Sequence, residues 1–224
     1  MNEYCIHLDL LSDTIFGSGE GLAGLVDVEV QHDEFGFPVL NGRTLRGLLV
    51  EECANLLYAL KNHRLYAELQ NSAQRLFGAP GSGFKEQSAL SISDACLPAG
   101  LRQAATDLLE NDPDKLSRQE ILEAFTTIRR QTSVNPLTGA PKDTSLRAMR
   151  MILRETSFEA QVSFQQPPGK LDLPLLAACT LALRRAGLGR NRGNGELKAS
   201  LWDAGGRDIT QTQFDILKQE LVRD

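Results

Sequence analysis

The apolar residues of this chain change spacing in a definite order, and that order leaves few folds open. Tyr4, Ile6, Leu8 and Leu10 alternate with Cys5, His7 and Asp9, the period of two that marks a half-buried β-strand. Leu45, Leu48, Leu49, Leu56, Leu57 and Leu60 then fall at helical spacing, so about 44–60 reads as an amphipathic helix. Residues 64–78 read as a second short helix, and Leu90 and Ile92 among serines predict a strand running into Asp94. Phe158, Ala160, Val162 and Phe164 alternate over 155–164. Leu171 to Ala186 is rich in Leu and Ala and reads as a core helix, and Leu197, Ala199 and Leu201 lie on a last strand. The succession is β–α–β–β–α–β, which predicts an α+β fold with a ferredoxin-like (RRM-type) core. That core hosts many functions, so function has to be argued from particular residues.

The remaining segments decorate this core, and the whole of 1–224 reads as one domain. Gly17, Gly19, Gly21 and Gly24 make a glycine-rich loop after the first strand. Val26 to Gln31 reads as a short strand and Phe35-Gly-Phe-Pro38 as a turn. About 99–128 reads as an inserted helical pair. Its second helix opens at Ser117-Arg-Gln-Glu120, a capping-box pattern. Asn135-Pro136 and Thr138-Gly-Ala-Pro141 are turn chemistry, so Gln131 to Lys142 reads as the tip of a hairpin over about 129–150. Thr210-Gln-Thr-Gln213 reads as the cap of a terminal helix over about 210–223.

Charge is divided unevenly along the chain. The net charge of −5 argues mildly against nucleic acid. Yet residues 1–128 hold 9 Lys and Arg against 19 Asp and Glu, while residues 129–192 hold 11 against 4. A basic block inside an acidic chain is an electrostatic footprint for a polyanion. No apolar run is long enough to span a membrane, and the first residues show no basic, cleavable leader. Cys5, Cys53, Cys96 and Cys179 are widely spaced, which gives no support to a zinc or redox motif. They read as buried free thiols of a cytoplasmic chain.

Within the basic block lies Gly187-Leu-Gly-Arg-Asn-Arg-Gly-Asn-Gly195. Gly187, Gly189, Gly193 and Gly195 allow positive φ and close approach of a partner. Arg190 and Arg192 add two permanent cations, a combination suited to phosphate. The loop follows a helix and precedes a strand, the reverse of a nucleotide-binding P-loop, which argues against a nucleotide-dependent metabolic enzyme. Arg43 and Arg46 sit at the start of the first helix, where the helix dipole is already positive, so they form a second candidate anion site. Arg129, Arg130, Lys142 and Arg147 flank the tip of that hairpin and form a third. No Ser/His/Asp or Cys/His arrangement supports a nucleophilic site.

Several motifs occur in an order that points to a family. They are Gly17 to Gly24, then Val26-Asp27, then Pro38, then Thr44-Leu45-Arg46-Gly47. Leu76-Phe-Gly78 with Ser91-Ile-Ser-Asp94, Thr138-Gly139 and Gly187 to Gly195 follow. Over about residues 4–202 the chain resembles the RAMP superfamily, and more narrowly the repeated backbone subunit of type III CRISPR effector complexes. It departs from the usual pattern at Asn135-Pro136, where an Asp-Arg or Asp-Lys pair is common, and in its acidic N-terminal half and helical insertion.

The resemblance implies a subunit that grips the phosphates of a crRNA guide and presents a thumb, here the thumb-like hairpin of about 129–150, to the guide–target duplex. Its partners would be the crRNA, the complementary target RNA, other RAMP-type subunits, and the large and small subunits of the complex, with no membrane. It also implies metal-dependent endoribonuclease activity on the target through Asp27, with Mg²⁺ or another divalent cation. Glu29 and Asp33 are further candidate ligands. RNA carries its own 2′-OH nucleophile, so a positioned carboxylate and cation are reasonable equipment. Two alternatives stay open: a non-cleaving structural paralogue in the same complex, and a repeat-processing endoribonuclease.

Overall fold

The computed structural model describes residues 3–78, 88–111, 116–132, 139 and 146–223. Along the chain run β1 (Glu3–Leu10), α1 (Gly42–Ala59), α2 (Tyr66–Phe77), β2 (Leu90–Ile92), α3 (Ala99–Asn111) and α4 (Arg118–Phe125). Then come β3 (Thr126–Gln131), β4 (Arg147–Ile152), β5 (Ser157–Phe164), α5 (Asp172–Ala182), β6 (Leu197–Asp203) and α6 (Thr210–Val222). Four strands form a sheet in the order β2-β5-β1-β6, each neighbouring pair antiparallel. This is the ferredoxin-like arrangement that the order of periodicities predicts.

The register explains the core. Ile6 pairs with Ala160 and Leu201, and Leu8 with Phe158 and Ala199. All six side chains are buried, because residues two apart on a strand share a face. Cys5, His7 and Asp9 point to the opposite face, where the His7 ring stacks on Trp202 at 4.5 Å. Helix α5 is the most buried helix, with every residue from Pro174 to Thr180 inside. It packs against α1, α2, α6 and β6.

Several boundaries differ from the sequence expectation, each for a local reason. Helix α5 stops at Ala182 rather than Ala186, because the next residues leave the helix to pair with 195–197 at the start of β6. The Ala186 N–H donates to Gly195 O, and the Leu197 N–H to Arg184 O. Val26–Gln31 is not a continuous strand. Residues 17–30 fold back on themselves through the bridges Gly17↔Val30 and Leu22↔Val26, and Val28 joins Met149 of β4 instead. Thr210 does not cap α6, whose N-cap is Ile209; its buried hydroxyl bonds Leu201 O.

The insertion does hold two helices. The Ser117–Glu120 capping box of α4 is formed on both sides, whereas α3 has no fully buried residue. Strands β3 and β4 make a separate two-stranded sheet. Asn135, Pro136, Thr138 and Lys142 lie outside the described residues. Only Cys53 and Cys179 are buried; Cys5 and Cys96 are half-buried, a correction to the expectation of four buried thiols. Burial, reinforced by the nearby Glu159 carboxylate, pushes the Cys5 thiol up to about 11. Among the described residues no helix is long and apolar enough to cross a membrane.

Candidate nucleic-acid interface

The glycine-rich loop between α5 and β6 divides into a packed base and an open tip. Gly187 and Gly195 have φ of +88° and +74°. A Cβ on Gly187 would lie 2.6 Å from Ile15 O, and one on Gly195 only 2.0 Å from Ala186 O. These two glycines are therefore required by close packing. The Leu188 N–H donates to Ile15 O and the Gly195 N–H to Asp13 O, fastening the base to the segment after β1. Gly189 and Gly193, both at positive φ, bracket a single 3₁₀ turn, Arg190–Arg192. Asn191 and Arg192 on that turn are exposed.

Beside this loop lies a cleft of about 510 Å³ lined by Phe16, Gln31, Thr44, Gly47, Gly187 and Arg190, among others. The fold thus brings together three segments far apart in sequence: the glycine-rich stretch after β1, the Thr44–Gly47 motif of α1 and the Gly187–Gly195 loop. Arg190 reaches across to Glu51 of α1 through two contacts of 3.1 and 3.2 Å. Both side chains are at least 40% exposed. An exposed pair of this kind is worth about 0–1 kcal/mol, so Arg190 can exchange Glu51 for a phosphate at little cost.

The other arginines part company. Arg43 is exposed at the first turn of α1. Arg46 turns inward, and its Nη2 donates to Phe77 O at 2.6 Å, at the end of α2. The start of α1 already has its anion: the Gly42 N–H donates to Asp94 Oδ1 at 2.7 Å, and the Arg43 N–H to Asn41 Oδ1 at 2.8 Å. The anion site expected there is filled by the protein's own carboxylate, which also assigns a role to the Ser93-Asp94 end of the Ser91–Asp94 motif. Arg129 is paired with Asp13 at 2.7 Å. Arg130 and Arg147 are exposed on β3 and β4. Lys142 lies outside the described residues.

Asp27 is exposed, yet firmly held. Its N–H donates to Ala148 O at 2.7 Å, and its Oδ2 accepts the Ala148 N–H at 2.7 Å. Ala148 pairs with Arg130 across the hairpin and follows Arg147. The carboxylate therefore sits on the hairpin that carries two exposed cations, with Oδ1 uncommitted among the described residues. Glu29 and Asp33 do not join it. Glu29 Oε1 lies 2.8 Å from Arg150 Nε. Asp33 Oδ1 accepts the Phe35 and Phe37 N–H groups, and its Oδ2 accepts from Arg102. Asp33 thereby shapes the turn at Gly36, and Glu29 anchors its strand-like limb.

No group of three or more His, Cys, Asp or Glu side chains gathers as a metal site among the described residues. A lone carboxylate still suits Mg²⁺, which binds readily through one or two carboxylates together with substrate phosphates and water. The donor set therefore fits an ion shared with RNA and does not fit one held by the protein alone.

Comparisons with known proteins bear on the family and the fold. The RAMP superfamily profile matches residues 7–198. A chain in the cryo-EM structure of the type III-B Cmr-beta bound to cognate target RNA superposes with a TM-score of 0.62 at 11% identity, covering 89% of this chain and 96% of that one. A chain of the apo-state Cmr-beta structure gives a TM-score of 0.62 at 12% identity, covering 90% and 97%. No curated protein matches in sequence. With the two β–α–β halves, the packed glycine loop and a profile match over most of its length, this chain belongs to the RAMP superfamily.

Proposed function

We propose that this protein is an RNA-binding backbone subunit of a type III CRISPR effector complex. It holds a crRNA guide by phosphate contacts and cleaves complementary target RNA at Asp27. The observation that carries this reading is the convergence of the three motif segments on one cleft, with Asp27 fixed to the hairpin that bears Arg130 and Arg147. The structures with the same fold belong to Cmr-beta, one of them bound to cognate target RNA. The partners are then the guide, the target, neighbouring RAMP-type subunits, and the large and small subunits of the complex, in the cytoplasm.

Arg192, Arg190 and Arg43 supply charge for the guide backbone without reading bases, as suits a spacer of variable sequence. At the cleavage point the attacking group is the target's own 2′-OH. Asp27 Oδ1 is placed to accept its proton or to hold a divalent cation, while Oδ2 stays on the Ala148 N–H and fixes the carboxylate plane. A bound Mg²⁺ supplies positive charge for the phosphate and leaving oxygen. Arg130 and Arg147 add fixed positive potential beside them.

The test is Asp27→Ala in the assembled complex. Target cleavage at this subunit's position falls by about 10²-fold or more, while guide content is unchanged. Undiminished cleavage there removes the catalytic assignment and leaves a structural paralogue. Metal-independent cutting of precursor RNA by the isolated chain favours a processing enzyme instead.

A further inference from the structure

Glu29 was a candidate metal ligand by sequence, and the fold gives its carboxylate a different partner. Arg150 on β4 is buried, with its side chain 3% exposed, and the Glu29 side chain is 13% exposed. Their closest atoms, Nε and Oε1, lie 2.8 Å apart. The contact is an ion pair rather than an aligned hydrogen bond, since Nε has no acceptor in hydrogen-bond geometry. Oε1 also accepts the Val30 N–H at 2.9 Å. Arg150 grips the same limb with its backbone, because its N–H donates to Val28 O at 3.0 Å. Its Nη1 donates to Thr126 Oγ1, and that hydroxyl donates to Leu122 O of α4. One side chain thus ties three elements: the limb that carries Asp27, the β3–β4 hairpin and the insertion helix.

We infer that the Glu29–Arg150 pair is the positioning device of the candidate site, setting the register in which Asp27 meets Ala148. This deepens the proposed cleavage and rests on it for its catalytic consequence. Asp27 is the exposed residue of a limb that is joined to β4 by only three backbone hydrogen bonds among the described residues, two to Ala148 O and one from the Arg150 N–H. A slip of one residue would place Val28 or Val30 against the Arg150 guanidinium and turn the Asp27 side chain to the other face. A buried cation next to a valine is strongly disfavoured, so the pair admits one register. Catalytic groups need placement within a fraction of an ångström, which makes such a lock useful two residues from Asp27. Glu29 is then a positioning residue and not a metal ligand.

The experiment uses the assembled complex with Glu29→Gln, Arg150→Met and the double variant Glu29→Leu/Arg150→Met. Two readouts are taken: target cleavage across a Mg²⁺ titration, and amide hydrogen exchange of segments 26–30 and 147–150. Each single variant lowers kcat by about tenfold to a hundredfold, with unchanged KM and unchanged Mg²⁺ midpoint, and exchange in both segments rises. The double variant restores protection and most of kcat, since a matched apolar pair can replace a buried ion pair without leaving a charge unpaired. A Mg²⁺ midpoint raised by Glu29→Gln, with no recovery in the double variant, makes Glu29 a metal ligand and overturns the inference. Unchanged exchange in the single variants overturns it as well. If the unmodified complex does not cut at this position, the cleavage reading fails, while the exchange data still decide whether the pair sets the register.

Discussion

At the scale of single residues, the glycines of the 187–195 loop show how one motif holds two kinds of constraint. Gly195 combines φ of +74° with a neighbour that a Cβ would meet at 2.0 Å, whereas Gly193 at φ of +81° faces open space. Gly193→Ala therefore costs about 1–2 kcal/mol, the ordinary penalty for a left-handed L-residue. Gly195→Ala adds a clash with backbone and costs clearly more. Thermal unfolding of both variants checks this, and equal losses would contradict the packing argument. The sequence marks all four glycines alike. Likewise Arg43 and Arg46 look equivalent in sequence, yet one is exposed and the other bonds Phe77 O. Asp13 and Arg150, which hold the site together, carry no local signal at all. Their partners, Arg129 and Glu29, are more than a hundred residues away.

At the scale of elements, the join between α2 and α5 depends on one buried carboxylate. Asp172 opens α5 and accepts from Ser72, from Arg75 at two atoms, and from the Gly169 N–H. Burial by itself raises the Asp172 carboxyl, but the hydrogen bonds from Arg75, Ser72 and Gly169 outweigh it and hold the group below its ordinary value. The folded state therefore binds the proton more weakly than the unfolded chain, whose Asp titrates at about 3.9. This stabilisation is complete above that value and is lost as pH falls through the lower folded value. Asp172→Asn at neutral pH costs about 2–3 kcal/mol, as expected for charged hydrogen bonds and a buried Ser72 left poorly partnered. Urea unfolding checks the size, and the gap from the unmodified protein should narrow below about pH 4. A gap that stays constant down to pH 3 would show that the charge does not matter.

At the scale of the whole molecule, the charge split acquires a shape. The glycine loop, the hairpin arginines and the Thr44 motif lie in different thirds of the sequence, and the ferredoxin-like topology brings the first and last of these to one cleft. Arg192→Ala should weaken RNA binding equally across guide sequences and reduce the slope of log affinity against log salt by about 0.7, the contribution of one single-strand phosphate contact. Titrations at several salt concentrations measure it, and sequence-dependent losses would speak against a backbone grip. Legible in the sequence alone are the succession of the core strands and helices, the capping box of α4, the apolar core positions of β1 and β5, and the family motifs, because each depends on spacing within a short window. Which charged residues remain available depends on the folded arrangement. Asp94 fills the α1 terminus, Asp13 takes Arg129, Arg150 takes Glu29, and Asp27 stays exposed beside the hairpin, bonded to Ala148. Those outcomes depend on partners distant in sequence, and a carboxylate or guanidinium becomes structural or functional only through the group that the fold sets beside it.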